Sequence, residues 1–455
     1  MATRKISTLS MAAKISVFAI AYDRQEPVYQ AGELVKGHLN MEVLDEIAVR
    51  GVTVLFTGGA YCHWTEQVTR GTGDSRRTET RHYKSHEGYF TQKIDFPLDN
   101  KDHKITPGRY THNFSYTLPQ NLPSSYEGLL GKIRFQATAR CEIIDGRDKV
   151  VSRPFTVIAH KDLNQIEGLS SPEQREKQKT LCCLCCESGP IQVVFRMEKT
   201  GYVPGEAIPL NAEITNNSNR TVFRSKAGLK QCVTYRAQGH VKRRSWTMAD
   251  VEKPEIEPGG SCIWTDQMQV PSIPPTNDKE DCSIIDIRYE LEFKIVPSGL
   301  ATCLEMSVPL VIGTIPLQGM FFPYTPGTAT ATVPPVSIPP LTSKDTPGAE
   351  AATQAATNNV NNAIVHQPTS TTSLPDGIPP PSYAECVGLL PEEKEDNEKP
   401  KAEEKDGKKE KDSKKLKKKE KDSDKSRRTS EDVTYSPRYA FYDWNYSIDH
   451  ADGVL

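Results

Sequence analysis

Two stretches of this chain alternate apolar and polar residues with a period of two. Ile133, Phe135, Ala137, Ala139, Cys141 and Ile143 are separated by Arg134, Gln136, Thr138, Arg140 and Glu142. Ile285, Ile287, Tyr289, Leu291, Phe293 and Ile295 are separated by Asp286, Arg288, Glu290, Glu292 and Lys294. Successive side chains of a strand point to opposite faces, so each stretch predicts a strand of an antiparallel sheet with one face on a core and the other in water. Phe114, Tyr116 and Leu118, and Ile208, Leu210, Ala212 and Ile214, repeat the pattern. No long run at helical spacing interrupts 14–160 or 190–317, and strands without intervening helices predict an all-β architecture of sandwiches. A chain of 455 residues exceeds what one core organises, so more than one domain is expected.

The two strand-rich regions resemble each other. Tyr29-x-x-Gly32-Glu33-x-Val35 matches Tyr202-x-x-Gly205-Glu206-x-Ile208, and Ile105-x-Pro107-Gly108 matches Ile256-x-Pro258-Gly259. Ile133-Arg134-Phe135 matches Ile287-Arg288-Tyr289, and Pro154-Phe155 matches Pro309-Leu310. The order is kept, with offsets of 173, 151, 154 and 155, which predicts a duplicated sandwich with one early change of length. The expected organisation is a flexible 1–13, a first domain at 14–160, a linker at 161–189, a second domain at 190–317 and a disordered tail at 318–455. Within that tail, 325–390 is rich in Pro, Thr, Ala and Asn, and 392–428 holds 16 Lys/Arg against 13 Asp/Glu. Such compositions bury too little apolar surface to offset the entropy of ordering.

Charge and cysteine usage narrow the function classes. A net charge of −2, and a charged run whose acids nearly cancel its bases, predict no nucleic-acid partner. Apolar stretches such as 15–22 fall short of the roughly 18–20 residues that span a bilayer, and the polar N-terminus lacks a secretory h-region. The expected compartment is the cytoplasm, where the 11 cysteines read as thiols. No nucleophile–base constellation stands out. Gly71-Thr72-Gly73-Asp74-Ser75 lacks the Gly-Lys-Ser/Thr ending of a phosphate loop and reads as a hairpin turn. No catalytic residue, metal or cofactor is expected.

Three features carry binding chemistry. Pro380-Pro381-Ser382-Tyr383 follows Pro379; consecutive prolines hold a polyproline II conformation that WW domains clasp in aromatic grooves, with Tyr383 filling a second groove. Cys182, Cys183, Cys185 and Cys186 cluster between the two domains. Packing as small apolar residues at an interdomain seam competes there with S-acylation, while zinc lacks a second ligand pair nearby. Tyr435, Tyr439, Phe441, Tyr442 and Trp444 place five aromatics in ten residues after a charged run, which predicts docking onto a partner or onto the chain's own sandwiches. Ser430 follows Arg427-Arg428-Thr429 in a pattern suited to basophilic kinases.

The chain resembles the α-arrestins, the arrestin domain-containing proteins. The likeness rests on Val28-Tyr29-x-x-Gly32-Glu33-x-Val35-x-Gly37, on Phe114-x-Tyr116-x-Leu118-Pro119 and on 122–128, Leu-Pro-Ser-Ser-Tyr-Glu-Gly. It extends to the junction Lys179-Thr180-Leu181-Cys182-Cys183, to Asp281-Cys282-Ser283-Ile284-Ile285 and to the block at 309–317. The resemblance implies two tandem immunoglobulin-like arrestin sandwiches and a non-enzymatic trafficking adaptor. Such a protein joins membrane receptors or transporters to WW-domain HECT-class ubiquitin ligases, with recruitment to plasma membrane and endosomes and peripheral membrane contact. Pro380, Pro381 and Tyr383 match the family's ligase-binding positions. Many relatives carry two such motifs and this chain has one, which implies weaker recruitment. A second reading within the fold is a redox or metabolic regulator that binds a thioredoxin-like partner through cysteine.

Overall fold

The computed structural model describes residues 14–71, 76–97, 103–144, 146–183, 186–299, 302–320, 322 and 435–442. The first domain pairs two sheets. The smaller has the order β1 (Ile15–Tyr22), β3 (Leu34–Val43), β7 (Gly108–Thr117). The larger runs β2 (Val28–Gln30), β10 (Lys149–Ile158), β9 (Gly131–Ile143), β4 (Ile47–Arg70), β5 (Arg77–Phe96), with β6 (Lys104–Ile105) on β4 and β8 (Tyr126–Glu127) on β9. The alternation that predicts β9 is realised: Ile133, Phe135, Ala137, Ala139 and Cys141 are fully buried between the sheets. Burying a side chain the size of Phe135 stabilises by about 1.5–3 kcal/mol. Phe56, Phe114 and Phe155 meet nearby edge to face, for instance at 5.5 Å between Phe56 and Phe114. β4 and β5 stay paired out to Arg70 opposite Arg77, so the glycine-rich stretch between them joins two antiparallel strands.

The second domain repeats this plan. One sheet runs β11 (Glu173–Cys183), β12 (Cys186–Met197), β14 (Ala207–Asn216), β17 (Ser261–Gln269). The other runs β13 (Gly201–Tyr202), β19 (Leu304–Ile312), β18 (Ile285–Pro297), β15 (Val222–Ala237), β16 (His240–Lys253). The four matched sequence blocks occupy equivalent places. β2 pairs in parallel with β10 as β13 does with β19. Glu33 accepts the Gln30 N–H at 2.8 Å, and Glu206 accepts the Val203 N–H at 3.1 Å, each closing a turn whose glycine has positive φ. Gln136 opposes Pro154 as Glu290 opposes Pro309.

Two expectations are corrected. Residues 173–183, read as part of a linker, form β11, hydrogen-bonded along its length to β12. Glu173-Gln-Arg-Glu-Lys-Gln-Lys-Thr shows no apolar alternation because β11 is an edge strand, where charge is favoured and one flank has no partner strand. Lys177 and Lys179 reach the carbonyls of Glu305 (2.7 Å) and Cys303 (3.1 Å). The cysteine cluster accordingly does not lie at the interdomain seam. Cys182 opposes Glu187 and Cys183 opposes Cys186, so the β11–β12 pair runs on past Ile191, which opposes Asn216 at the end of the domain remote from the first. An eleven-residue strand carries the chain about 35 Å before it returns. Cys185 lies outside the described residues.

Candidate functional site: the seam between the sandwiches

The two domains meet along a continuous seam. The Tyr126 and Tyr235 hydroxyls share a buried hydrogen bond of 2.8 Å. Cys62 donates to the Arg236 carbonyl, Lys242 pairs with Glu66 at 2.8 Å, and the Ser283 N–H donates to Glu87 at 3.0 Å. On the other flank Lys161 pairs with Asp278 at 2.9 Å, and its N–H donates to Thr314 Oγ1 at 2.7 Å. A parallel bridge between Asp162 and Ile315 continues that contact. Seam burial pushes the Cys62 thiol up to about 11, and burial also raises Tyr235, to about 12.

Against this seam lies a segment from the far end of the chain. Residues 435–442 run extended, with Pro437 and Tyr439 buried and Arg438 exposed. On the first domain, Tyr435 Oη donates to the Phe155 carbonyl at 3.0 Å and lies 3.1 Å from Thr156 Oγ1. The Arg438 N–H donates to that same threonine at 3.3 Å, and its guanidinium pairs with Glu26. Tyr439 is 8% exposed and its hydroxyl donates to the Ser125 carbonyl at 2.9 Å. On the second domain, Ser272 Oγ donates to the Tyr439 carbonyl at 3.2 Å. The Tyr442 N–H donates to the Pro204 carbonyl at 3.1 Å, and its hydroxyl to that of Thr314 at 2.5 Å.

Local sequence explains this cradle. Ser124 and Ser125 hydroxyls accept the N–H groups of Ala159 and Val157, which pins the 122–128 block along β10 and aims the Ser125 carbonyl at Tyr439. Arg134 is bidentate to Glu127 at 2.6 and 3.0 Å, and its guanidinium lies 5.5 Å from the Tyr435 ring centre. Gly205 has φ +93°, and a Cβ there would stand 2.1 Å from the Tyr442 carbonyl oxygen, so a side chain would collide with the segment. Beneath it lies a fully buried ion pair, Lys199–Glu206; Glu206 also accepts the N–H groups of Val203 and Phe322, both at 3.1 Å. Burial raises Tyr435 to about 12 and moves Tyr439 and Tyr442 upward as well, so all three phenols are neutral at physiological pH.

Of the residues singled out from sequence, Tyr439, Phe441 and Tyr442 lie in this segment at the seam. Pro380, Pro381, Tyr383, Ser430 and Trp444 lie outside the described residues. Thr156 and Ser272 carry no sequence signal of their own, since each acts through a position that only the domain contact creates; Ser125 and Thr314 lie in the 122–128 and 309–317 blocks, which mark the family and not this role. Gly205 had one: it sits in the repeated Tyr-x-x-Gly-Glu block, whose N-domain counterpart Gly32 also has positive φ. Among the described residues no group of three or more His, Cys, Asp or Glu is placed to hold a metal, and no helix is long and apolar enough to cross a membrane.

Comparison with known proteins agrees with this architecture. Residues 18–164 match the family model "Arrestin (or S-antigen), N-terminal domain", and residues 187–317 match "Arrestin (or S-antigen), C-terminal domain". Arrestin domain-containing protein 4 of Mus musculus is 31% identical over 303 residues, which cover 65% of this chain and 71% of that protein. Arrestin domain-containing protein 17 of Caenorhabditis elegans is 29% identical over 308 residues, 66% and 70% of the two chains. Human thioredoxin-interacting protein is 26% identical over 305 residues, 66% and 75%. With both sandwiches, the repeated Tyr-x-x-Gly-Glu turns and these relatives in agreement, the chain belongs to the arrestin domain-containing family, the α-arrestins.

Proposed function

We propose that this protein is a trafficking adaptor that joins membrane cargo, a receptor or transporter, to a WW-domain HECT-class ubiquitin ligase. The observation that carries the reading is the Pro380-Pro381-Ser382-Tyr383 motif on a chain of the α-arrestin family. The two prolines are preset for an aromatic-lined groove, and Tyr383 supplies the second anchor. In this reading the sandwiches engage the cargo and the tail engages the ligase. The protein then works from the cytoplasm and is drawn to plasma membrane and endosomes by its cargo. The cluster Cys182, Cys183, Cys185 and Cys186 is a candidate for acylation and peripheral membrane contact. Capture of the full chain by isolated WW domains tests the ligase arm. Tyr383→Ala should weaken capture at least tenfold, and a phosphate on Tyr383 should do the same by bringing a dianion into an aromatic groove. Equal capture of wild type and Tyr383→Ala would sink the reading.

The likeness to thioredoxin-interacting protein raises the cysteine-dependent alternative. Burial pushes the thiols of Cys62, Cys141, Cys232, Cys262 and Cys282 upward, which disfavours the thiolate needed for disulfide exchange. This weighs against those five as the reactive group.

A further inference from the structure

We propose that the groove between the two sandwiches is a binding site for an extended peptide bearing unphosphorylated tyrosines, and that its resident ligand is the chain's own segment Tyr435–Tyr442. Three tyrosines at spacings of four and three each insert a hydroxyl that donates to a main-chain carbonyl, of Phe155, Ser125 and Thr314. Between them the main chain is held by Thr156, Ser272 and Pro204, contacts that any sequence can make. Affinity thus comes from the backbone and specificity from the tyrosine pockets, the division of labour typical of extended-peptide recognition. Ser125, Phe155 and Thr156 belong to the first domain, and Pro204, Gly205, Ser272 and Thr314 to the second. The seated segment therefore ties the domains together, and opening the seam requires its departure.

The pocket chemistry sets what the groove refuses. A tyrosine phosphate has no hydroxyl proton to donate, and its oxygens would face the carbonyl oxygen that the hydroxyl now meets. At Tyr439 the anion would also be buried near Glu127, whose carboxylate already disfavours negative charge there. Arg134, beside Tyr435, is engaged with Glu127 on two bonds and is half-committed before any phosphate arrives.

Hydrogen exchange on the full-length chain, combined with peptide binding in trans, tests this. In the wild type the amides of Arg438 and Tyr442 are hydrogen-bonded to the sandwiches. Tyr439→Ala should raise exchange across 435–442 at least tenfold while strands β9 and β18 keep their protection; the milder Ser272→Ala should do so by a smaller factor. A dye-labelled synthetic peptide of residues 432–445 should bind the full-length Tyr439→Ala chain, whose groove is vacated, at least tenfold more tightly than the wild type. The same peptide with phosphate on its Tyr439 should bind the variant at least tenfold more weakly than the plain one. Equal exchange in wild type and Tyr439→Ala would overturn the resident ligand, and equal affinity of plain and phosphorylated peptides would overturn the tyrosine pocket.

Discussion

Lys199 and Glu206 are both 0% exposed and bonded to each other, and their removal has a calculable signature. Lys199 also donates to the Met320 carbonyl and lies 4.8 Å from the Tyr202 ring centre and 5.2 Å from that of Phe322. Glu206→Gln keeps the shape and an acceptor for the Val203 N–H, but leaves an ammonium buried without its counter-charge. Breaking a buried pair this way costs about 3–5 kcal/mol. Lys199→Met leaves a carboxylate that still accepts two main-chain N–H groups, and burial raises its pKa, so part of the cost is relieved by protonation. The double variant Lys199→Met/Glu206→Gln loses both charges and strands the Met320 carbonyl and, because the amide keeps one accepting oxygen of the two, the Val203 or Phe322 N–H, about 1–3 kcal/mol each. The two changes should therefore be strongly non-additive, with a coupling of about 2–3 kcal/mol. Burial holds the Lys199 pKa down against the pull of Glu206, so Glu206→Gln lowers it further. The unfolded chain then binds the proton more readily than the folded one, and the deficit of Glu206→Gln should shrink as pH rises from 7 towards 10. Urea unfolding followed through Trp264, buried 5.2 Å from Phe293 in the same domain, gives the four corners of the cycle. Single variants costing under about 1 kcal/mol, or additive effects in the double, would refute an uncompensated buried charge.

Other outcomes follow from the seam. Gly205→Ala combines a positive φ with a 2.1 Å approach to the Tyr442 carbonyl, so exchange at 440–442 should rise at least tenfold; unchanged exchange would contradict the close approach. Burial places the Tyr435 phenol at about 12, above the usual tyrosine value of about 10. Its contribution to docking is present in full below about 10 and is lost as pH climbs through about 12, which exchange or anisotropy of a label at 445 should follow. Tyr235→Phe and Tyr126→Phe should each cost about 0.5–1.5 kcal/mol by removing the hydrogen bond between the two hydroxyls, while the double variant costs less than the sum; additive losses would show that the 2.8 Å bond does not couple the domains. Cys62 and Cys141, both raised to about 11 by burial, should react with maleimide at least tenfold more slowly at pH 7.5 than in the urea-unfolded chain.

What could be read from the chain alone follows from how far each signal reaches. The alternation at Ile133–Ile143 and Ile285–Ile295 is local, because a strand between a core and water must carry it, and it specified both sandwiches. The paired Tyr-x-x-Gly-Glu turns are local too, and the carboxylates of Glu33 and Glu206 close them in the same way. Strand β11 was hidden because an edge strand with exposed lysines and glutamates is stabilised by its neighbour's hydrogen bonds, which leave no period in its own residues. The cysteine turn was misplaced for the same reason: the direction of the chain after residue 172 depends on that pairing. The groove exists only in three dimensions. Ser125, Pro204, Ser272 and Thr314 contribute carbonyls or a hydroxyl whose aim depends on the packing of two domains. Tyr439 meets them from 314 residues away in sequence from Ser125, a separation no local pattern encodes.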